Sequence, residues 1–194
     1  YMEKAVLFVD GENLRHYVDW VLRKEKLDGT DISDLDFEGL FSKILPKIEL
    51  FRKVYYSAKL HEYKETADRS RALIAKQRFL KVVLEKQGFE FVISGHVRGQ
   101  KVDGKVVFRE KGVDVRIATD LLISAYEGKA KTVVLCSSDS DLQPAIKAAR
   151  EKGLEIIYLG FEINPNKGLI YTTNRAVLIR NSEIVDFCKS DVKS

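Results

Sequence analysis

The sequence predicts an α/β protein: a central parallel sheet flanked by helices on both faces, in one domain over residues 3–190. Two observations predict it. The strand-like runs are short and almost continuously apolar, as in strands covered on both faces. They alternate with segments of helical periodicity, and each strand, helix, strand passage calls for a parallel crossover. At 194 residues the chain has the length of one ordinary domain with a sizeable core.

Lys4 to Val9 (KAVLFV) is the first buried strand, and it stops at Asp10-Gly11-Glu12-Asn13. Leu14, Tyr17, Val18, Val21 and Leu22 then repeat at helical spacing. Asp28 to Asp36 is acidic and turn-rich, and Phe37 to Leu45 is a short helix closed by Pro46. Leu50 to Leu60 holds the second strand, centred on Val54-Tyr55-Tyr56-Ser57-Ala58. Lys64 to Gln87 is the longest helical pattern, with Leu73, Leu80 and Leu84 on one stripe, and Gly88 ends it. Phe89 to Ile93 is the third strand. From Gly95 to Arg109 an Asp103-Gly104 pair between β-prone runs predicts a small inserted hairpin. Val113–Glu127 is a helix, Thr132–Cys136 a buried strand, Leu142–Lys152 a helix ended by Gly153, and Leu154–Leu159 a strand. Beyond Phe161 the pattern is mixed and assigns no element.

Composition excludes several classes. With 45% apolar residues and only 3 prolines the chain is neither disordered nor low-complexity, and no apolar run approaches the ~20 residues of a membrane span. Two cysteines, Cys136 and Cys188, form no disulfide framework, and three scattered histidines form no zinc motif. The chain opens into a strand-like run with no signal-peptide pattern. With the two cysteines expected to be reduced, this leads to the expectation of a cytoplasmic protein without a membrane partner. The net charge of +4 is unevenly spread. Lys43 to Lys111 carries 17 Lys and Arg against 8 Asp and Glu, and the remainder carries 16 against 21. A basic middle between acidic flanks suits a polyanion lying across an acidic centre.

In an open parallel sheet, ligands bind beyond the carboxyl ends of the strands, where strand order reverses. Asp10 follows the first strand with Asn13 one turn on, and Ser137-Ser138-Asp139-Ser140-Asp141 follows the Thr132–Cys136 strand. Lys111-Gly112-Val113-Asp114 opens a helix whose N-terminus lies on the same rim. Each aspartate can serve as a helix cap. Gathered on one edge without basic partners, they would also suit Mg²⁺ or Mn²⁺, which take oxygen ligands and can activate water against a phosphodiester. The helix basics Arg69, Arg71, Lys76 and Arg78, with hairpin residues Arg98, Lys101, Lys105 and Arg109, are candidates to grip the backbone of a nucleic acid.

Val6-Leu-Phe-Val-Asp10-Gly-Glu-Asn13, Lys111-Gly-Val-Asp114 through Asp120, and Leu135-Cys-Ser-Ser-Asp139-Ser-Asp141-Leu-Gln-Pro144 together resemble the NYN domain, in its LabA-like branch, of the PIN-like nuclease superfamily. The resemblance spans about residues 4–160. It implies a Rossmann-like PIN fold, metal-dependent RNA cleavage, expected to be endonucleolytic, and metal-binding roles for Asp10, Asp114 and Asp139. Asp141 matches a second acid of the last motif and a further ligand, and Asn13 the polar partner of the first Asp. Ser138 stands where the family often has Gly. Asp120 fits the pattern, but six residues along the helix place it ~9 Å from Asp114 and on another side, which implies a secondary or structural role. The implied partner is RNA, single-stranded or structured. Family members often pair, so a homodimer is also an expectation, although no segment shows an obvious self-pairing surface.

Competing readings rank lower. A haloacid dehalogenase-type phosphatase would carry Asp-x-Asp after its first strand, where this chain has Asp10-Gly11-Glu12. A TOPRIM-like domain would carry Glu at that position. Nucleotide-cofactor folds need GxGxxG or GxxxxGK, and neither is present. A non-catalytic RNA-binding or adaptor module with the same fold remains the alternative of a different class.

Overall fold

The computed structural model describes residues 2–63, 67–102 and 105–188, and between 98 and 110 it describes the backbone alone. The elements in chain order are β1 (Glu3–Asp10), α1 (Gly11–Lys24), α2 (Phe37–Ile44), β2 (Ile48–Lys59), α3 (Ala67–Lys86), β3 (Phe89–Val102), β4 (Lys105–Lys111), α4 (Val113–Glu127), β5 (Thr132–Cys136), α5 (Gln143–Glu151), β6 (Glu155–Phe161), α6 (Lys167–Thr172), β7 (Arg175–Ile179) and α7 (Asn181–Phe187). Short 3₁₀ turns at Ile32–Asp34 and Ser140–Leu142 precede α2 and α5.

The strands form one sheet in the order β4-β3-β2-β1-β5-β6-β7. Six of them run parallel, and β4 adds an antiparallel edge. Strand order reverses between β1 and β5, so the chain winds outward in both directions from that pair. The crevice beyond their carboxyl ends is where such a sheet leaves room for a ligand.

Alternation along each strand sorts its side chains onto two faces. Leu7, Val9, Tyr55, Val134 and Cys136 pack beneath α1, α2, α3 and α7. Val6, Phe8, Tyr56, Val133 and Leu135 pack beneath α4, α5 and α6. Both cores are built of apolar side chains, which explains the uninterrupted apolar runs of the sequence.

Two segments differ in detail from the sequence expectation. The hairpin is a prolongation of β3. The first part of that strand pairs parallel with β2, and His96 to Val102 then pairs antiparallel with β4. Its turn at Asp103-Gly104 and the side chains of Arg98, Lys101, Lys105 and Arg109 lie outside the described residues. The segment beyond Phe161 holds α6, β7 and α7. β7 extends the parallel sheet, and α7 closes against α1 and α2. These elements are five to seven residues long, too short for a periodic signal. No helix among the described residues is long and apolar enough to cross a membrane.

Candidate active site

The site is built on the β1–β5 crevice. Asp10 ends β1 with 5% of its surface exposed. One of its oxygens, Oδ1, accepts the Asn13 backbone N–H at 3.2 Å, capping α1. The other, Oδ2, accepts the Asn13 side-chain amide at 2.5 Å and the Ser137 hydroxyl at 2.9 Å. Burial pushes this carboxyl above the usual aspartate range, the hydrogen bonds from Asn13 and Ser137 offset only part of that, and the nearby Asp139 charge adds to it. The turn into α1 requires glycine. A Cβ on Gly11 would lie 2.4 Å from the Tyr56 carbonyl oxygen and 2.4 Å from the Tyr55 ring, so α1 starts hard against β2 only because no side chain intervenes.

At the end of β5, Ser137 is fully buried. Its Oγ donates to Asp10 and accepts the Asp139 backbone N–H at 3.1 Å, so one hydroxyl ties the β1 terminus to the loop after β5. The Asp139 carboxylate accepts the Asp141 N–H at 2.8 Å and caps the 3₁₀ turn leading into α5. Asn166 secures the loop from outside. Its side chain donates to the Ser138 carbonyl at 2.9 Å while its Oδ1 caps α6 at Leu169.

Asp114 arrives from the other side. Gly112 adopts φ of 101°, a conformation that favours glycine, and turns β4 into α4 without a side-chain cap. Asp114 then stands in the first turn of α4, half-buried. Asp114, Asp139 and Asp141 each present a carboxylate oxygen, and these oxygens lie within 4.8 Å of one another. Among the described residues no lysine or arginine pairs with any of the three. Three oxygen donors on one point, without sulfur or imidazole, match the preference of a hard divalent cation such as Mg²⁺ or Mn²⁺.

The structure thus gathers three of the predicted acids, Asp114, Asp139 and Asp141. Asp10, expected as a further ligand, is not one of the three acids whose oxygens meet; Asn13 and Ser137 hold its carboxylate. Asp120, further along α4, accepts the Tyr56 hydroxyl at 2.8 Å and pairs with Arg116 at 3.0 Å. Of the basic candidates on α3, Arg71 pairs with Glu62 at 2.8 Å, Lys76 with Asp31 at 3.4 Å, and Arg78 is exposed. Arg69 and Lys76 line a cleft next to α1. The sequence reading passed over Ser137, Gly11 and Asn166. Only Asn166 carried a local signal, as a capping residue ahead of an apolar turn. Burial pushes the Cys136 thiol well above its ordinary range, so it offers no thiolate to the site.

A model of the NYN domain matches residues 4–179 of the chain. A crystal structure of a protein of unknown function from Vibrio parahaemolyticus shares the fold. Its TM-score is 0.63 at 20% identity, over 92% of this chain and 93% of the other. No curated protein matches the chain.

Proposed function

This chain belongs to the NYN domain family, with its PIN-like nuclease fold, and on that premise we propose that it is a metal-dependent ribonuclease that hydrolyses RNA phosphodiester bonds at the aspartate triad. The observation that carries the reading is the triad itself: three carboxylates offer oxygens within 4.8 Å of one another, with no lysine or arginine paired to them among the described residues. Such a group repels itself and repels RNA unless a cation joins it.

Asp114, Asp139 and Asp141 are the residues that would hold Mg²⁺ or Mn²⁺. The bound ion would supply the charge that lets a phosphodiester approach and a water acidic enough to attack it in line. The chain's own contribution is positioning. Gly112 and α4 set Asp114, and the Ser137 hydroxyl sets the backbone of Asp139. The Asp139 to Asp141 turn holds both acids on one short arc. Asp10 ties the end of β1 to the loop after β5 through Ser137, with Asn13 fixing its carboxylate. No protein nucleophile is involved.

The test incubates the purified chain with labelled RNA and Mn²⁺, or with chelator, beside Asp139→Asn. Cleavage that needs the ion and disappears in the variant supports the reading. Cleavage that survives Asp139→Asn overturns it. Metal-independent binding without cleavage favours the adaptor alternative.

A further inference from the structure

α3 is apolar on two sides. Leu80 and Leu84 are 6% and 0% exposed and hold the helix to the core over β2 and β3. Phe79 and Val82 project from the other side, 60% and 47% exposed, and Ala72 and Ala75 beside them are exposed as well. A helix that only covers a sheet needs one apolar stripe and turns a polar face to water. The second stripe of α3 is therefore a surface in want of a partner.

This stripe has a defined spacing. Asp68, Ala72, Ala75, Phe79, Val82 and Lys86 follow one another in alternating steps of four and three residues, the a and d positions of a heptad seam. The seam runs ~27 Å along the helix, and all six side chains are exposed. Such a seam is the surface by which one helix packs along another.

The order of the residues names the occupant, because the seam complements itself when reversed. A second α3 laid antiparallel about a two-fold axis between Ala75 and Phe79 sets Ala75 against Phe79 and Ala72 against Val82, and Asp68 against Lys86. Symmetry makes each of these contacts twice. Every apolar layer then holds one small and one large side chain, and each end of the seam holds an acid and a base. Beside the seam, Arg71 comes next to Glu85 of the second copy. Arg78 meets its own counterpart near the axis, a repulsion that costs little between exposed side chains. Parallel pairing would instead set Asp68 on Asp68, Lys86 on Lys86 and Phe79 on Phe79.

We propose that two copies of this chain pair through antiparallel α3 helices along this seam. α3 packs on the same sheet face as α1, α2 and α7, whereas the helix that carries Asp114 packs on the opposite face. The interface leaves the triad open, and the proposal does not depend on the nuclease reading.

The experiment measures the mass of the chain in solution by sedimentation equilibrium over a concentration series reaching about 100 μM, a range that detects a small interface. The expected result is a reversible rise from 22.1 kDa to twice that mass. Phe79→Glu places a carboxylate in the central apolar layer and should weaken pairing by about 30-fold or more. Asp68→Lys sets like charges at both ends of the seam and should weaken it by about tenfold. Adding Lys86→Asp to Asp68→Lys reverses both ends together and should restore the parent affinity, which only the antiparallel register allows. Circular dichroism melts check that each variant is folded, and Val82→Glu replaces Phe79→Glu if that variant is not. A parent chain that stays at 22.1 kDa overturns the proposal, as does undiminished pairing in a folded Phe79→Glu or Val82→Glu variant. Failure of the double variant to regain what Asp68→Lys loses overturns it too. A chain that pairs in this way but never cuts RNA with Mn²⁺ keeps the interface and loses the nuclease. A chain that cuts RNA as a monomer loses the interface alone.

Discussion

The Ser137 hydroxyl donates to Asp10 Oδ2 at 2.9 Å, across a sequence separation of 127 residues, and joins the two strands where sheet order reverses. A buried hydrogen bond to a charged group contributes about 1.5–3 kcal/mol. Ser137→Ala should therefore destabilise the chain by about that amount at neutral pH. Urea denaturation checks it, and the difference should shrink in acid, where Asp10 takes up a proton.

Asp10 also sets a pH dependence of its own. Burial raises its carboxyl above the ordinary aspartate value in the folded state. Between the ordinary and the raised value the folded chain holds more protons than the unfolded one, so stability falls as pH rises through that window. Below the window the penalty is absent, and above it the full penalty persists. Compared in chelator, Asp10→Asn should gain in melting temperature relative to the parent as pH climbs through the window, with a flat difference above it. A difference independent of pH contradicts the assignment.

The triad predicts a response that needs no RNA. Adding Mn²⁺ should raise the melting temperature, by about 2.7 kcal/mol of stability at a hundredfold excess over the dissociation constant. Asp114→Asn, Asp139→Asn and Asp141→Asn should each blunt that rise. Cleavage should drop by at least the roughly 10–100-fold that loss of even an outer metal partner brings.

Asp120 should behave differently from its neighbours in the motif. Its carboxylate is the partner of the Tyr56 hydroxyl, and its ion pair with half-exposed Arg116 contributes little. Asp120→Ala should lower stability by about 1–3 kcal/mol, chiefly through the orphaned tyrosine. The Mn²⁺-induced rise in melting temperature should remain. A variant that folds normally but no longer responds to Mn²⁺ would place Asp120 at the metal.

Gly11→Ala tests the close approach of α1 to β2. The added methyl meets the Tyr56 carbonyl at 2.4 Å, and a main-chain oxygen in a central strand has little room to move. A cost of about 1–3 kcal/mol is expected, read by urea denaturation. Cleavage should fall as well, because the helix carrying Asn13 must shift away from Asp10.

Much of this was legible in the linear chain. Runs such as Lys4–Val9 and Thr132–Cys136 are apolar on both faces, and only a strand covered on both sides tolerates that. The three aspartate motifs follow strand ends or open helices, which puts them on one rim whatever the packing details. The segment after Phe161 was not legible, because β7 and α7 are short and draw their stability from neighbours distant in sequence.

The residues alone therefore decided the α/β class, the parallel sheet and the edge on which the acids gather, since these follow from periodicity and strand polarity. The folded molecule decided which acids share a point: Asp141 joins Asp114 and Asp139, Asp120 turns toward Tyr56, and Asp10 is held by Asn13 and Ser137. It also decided that the Gln77 amide donates to the Ser57 hydroxyl. The physical reason is the same in each case. Strand and helix formation depend on neighbours a few residues away, whereas the direction of a polar side chain depends on the partner it finds across the sheet.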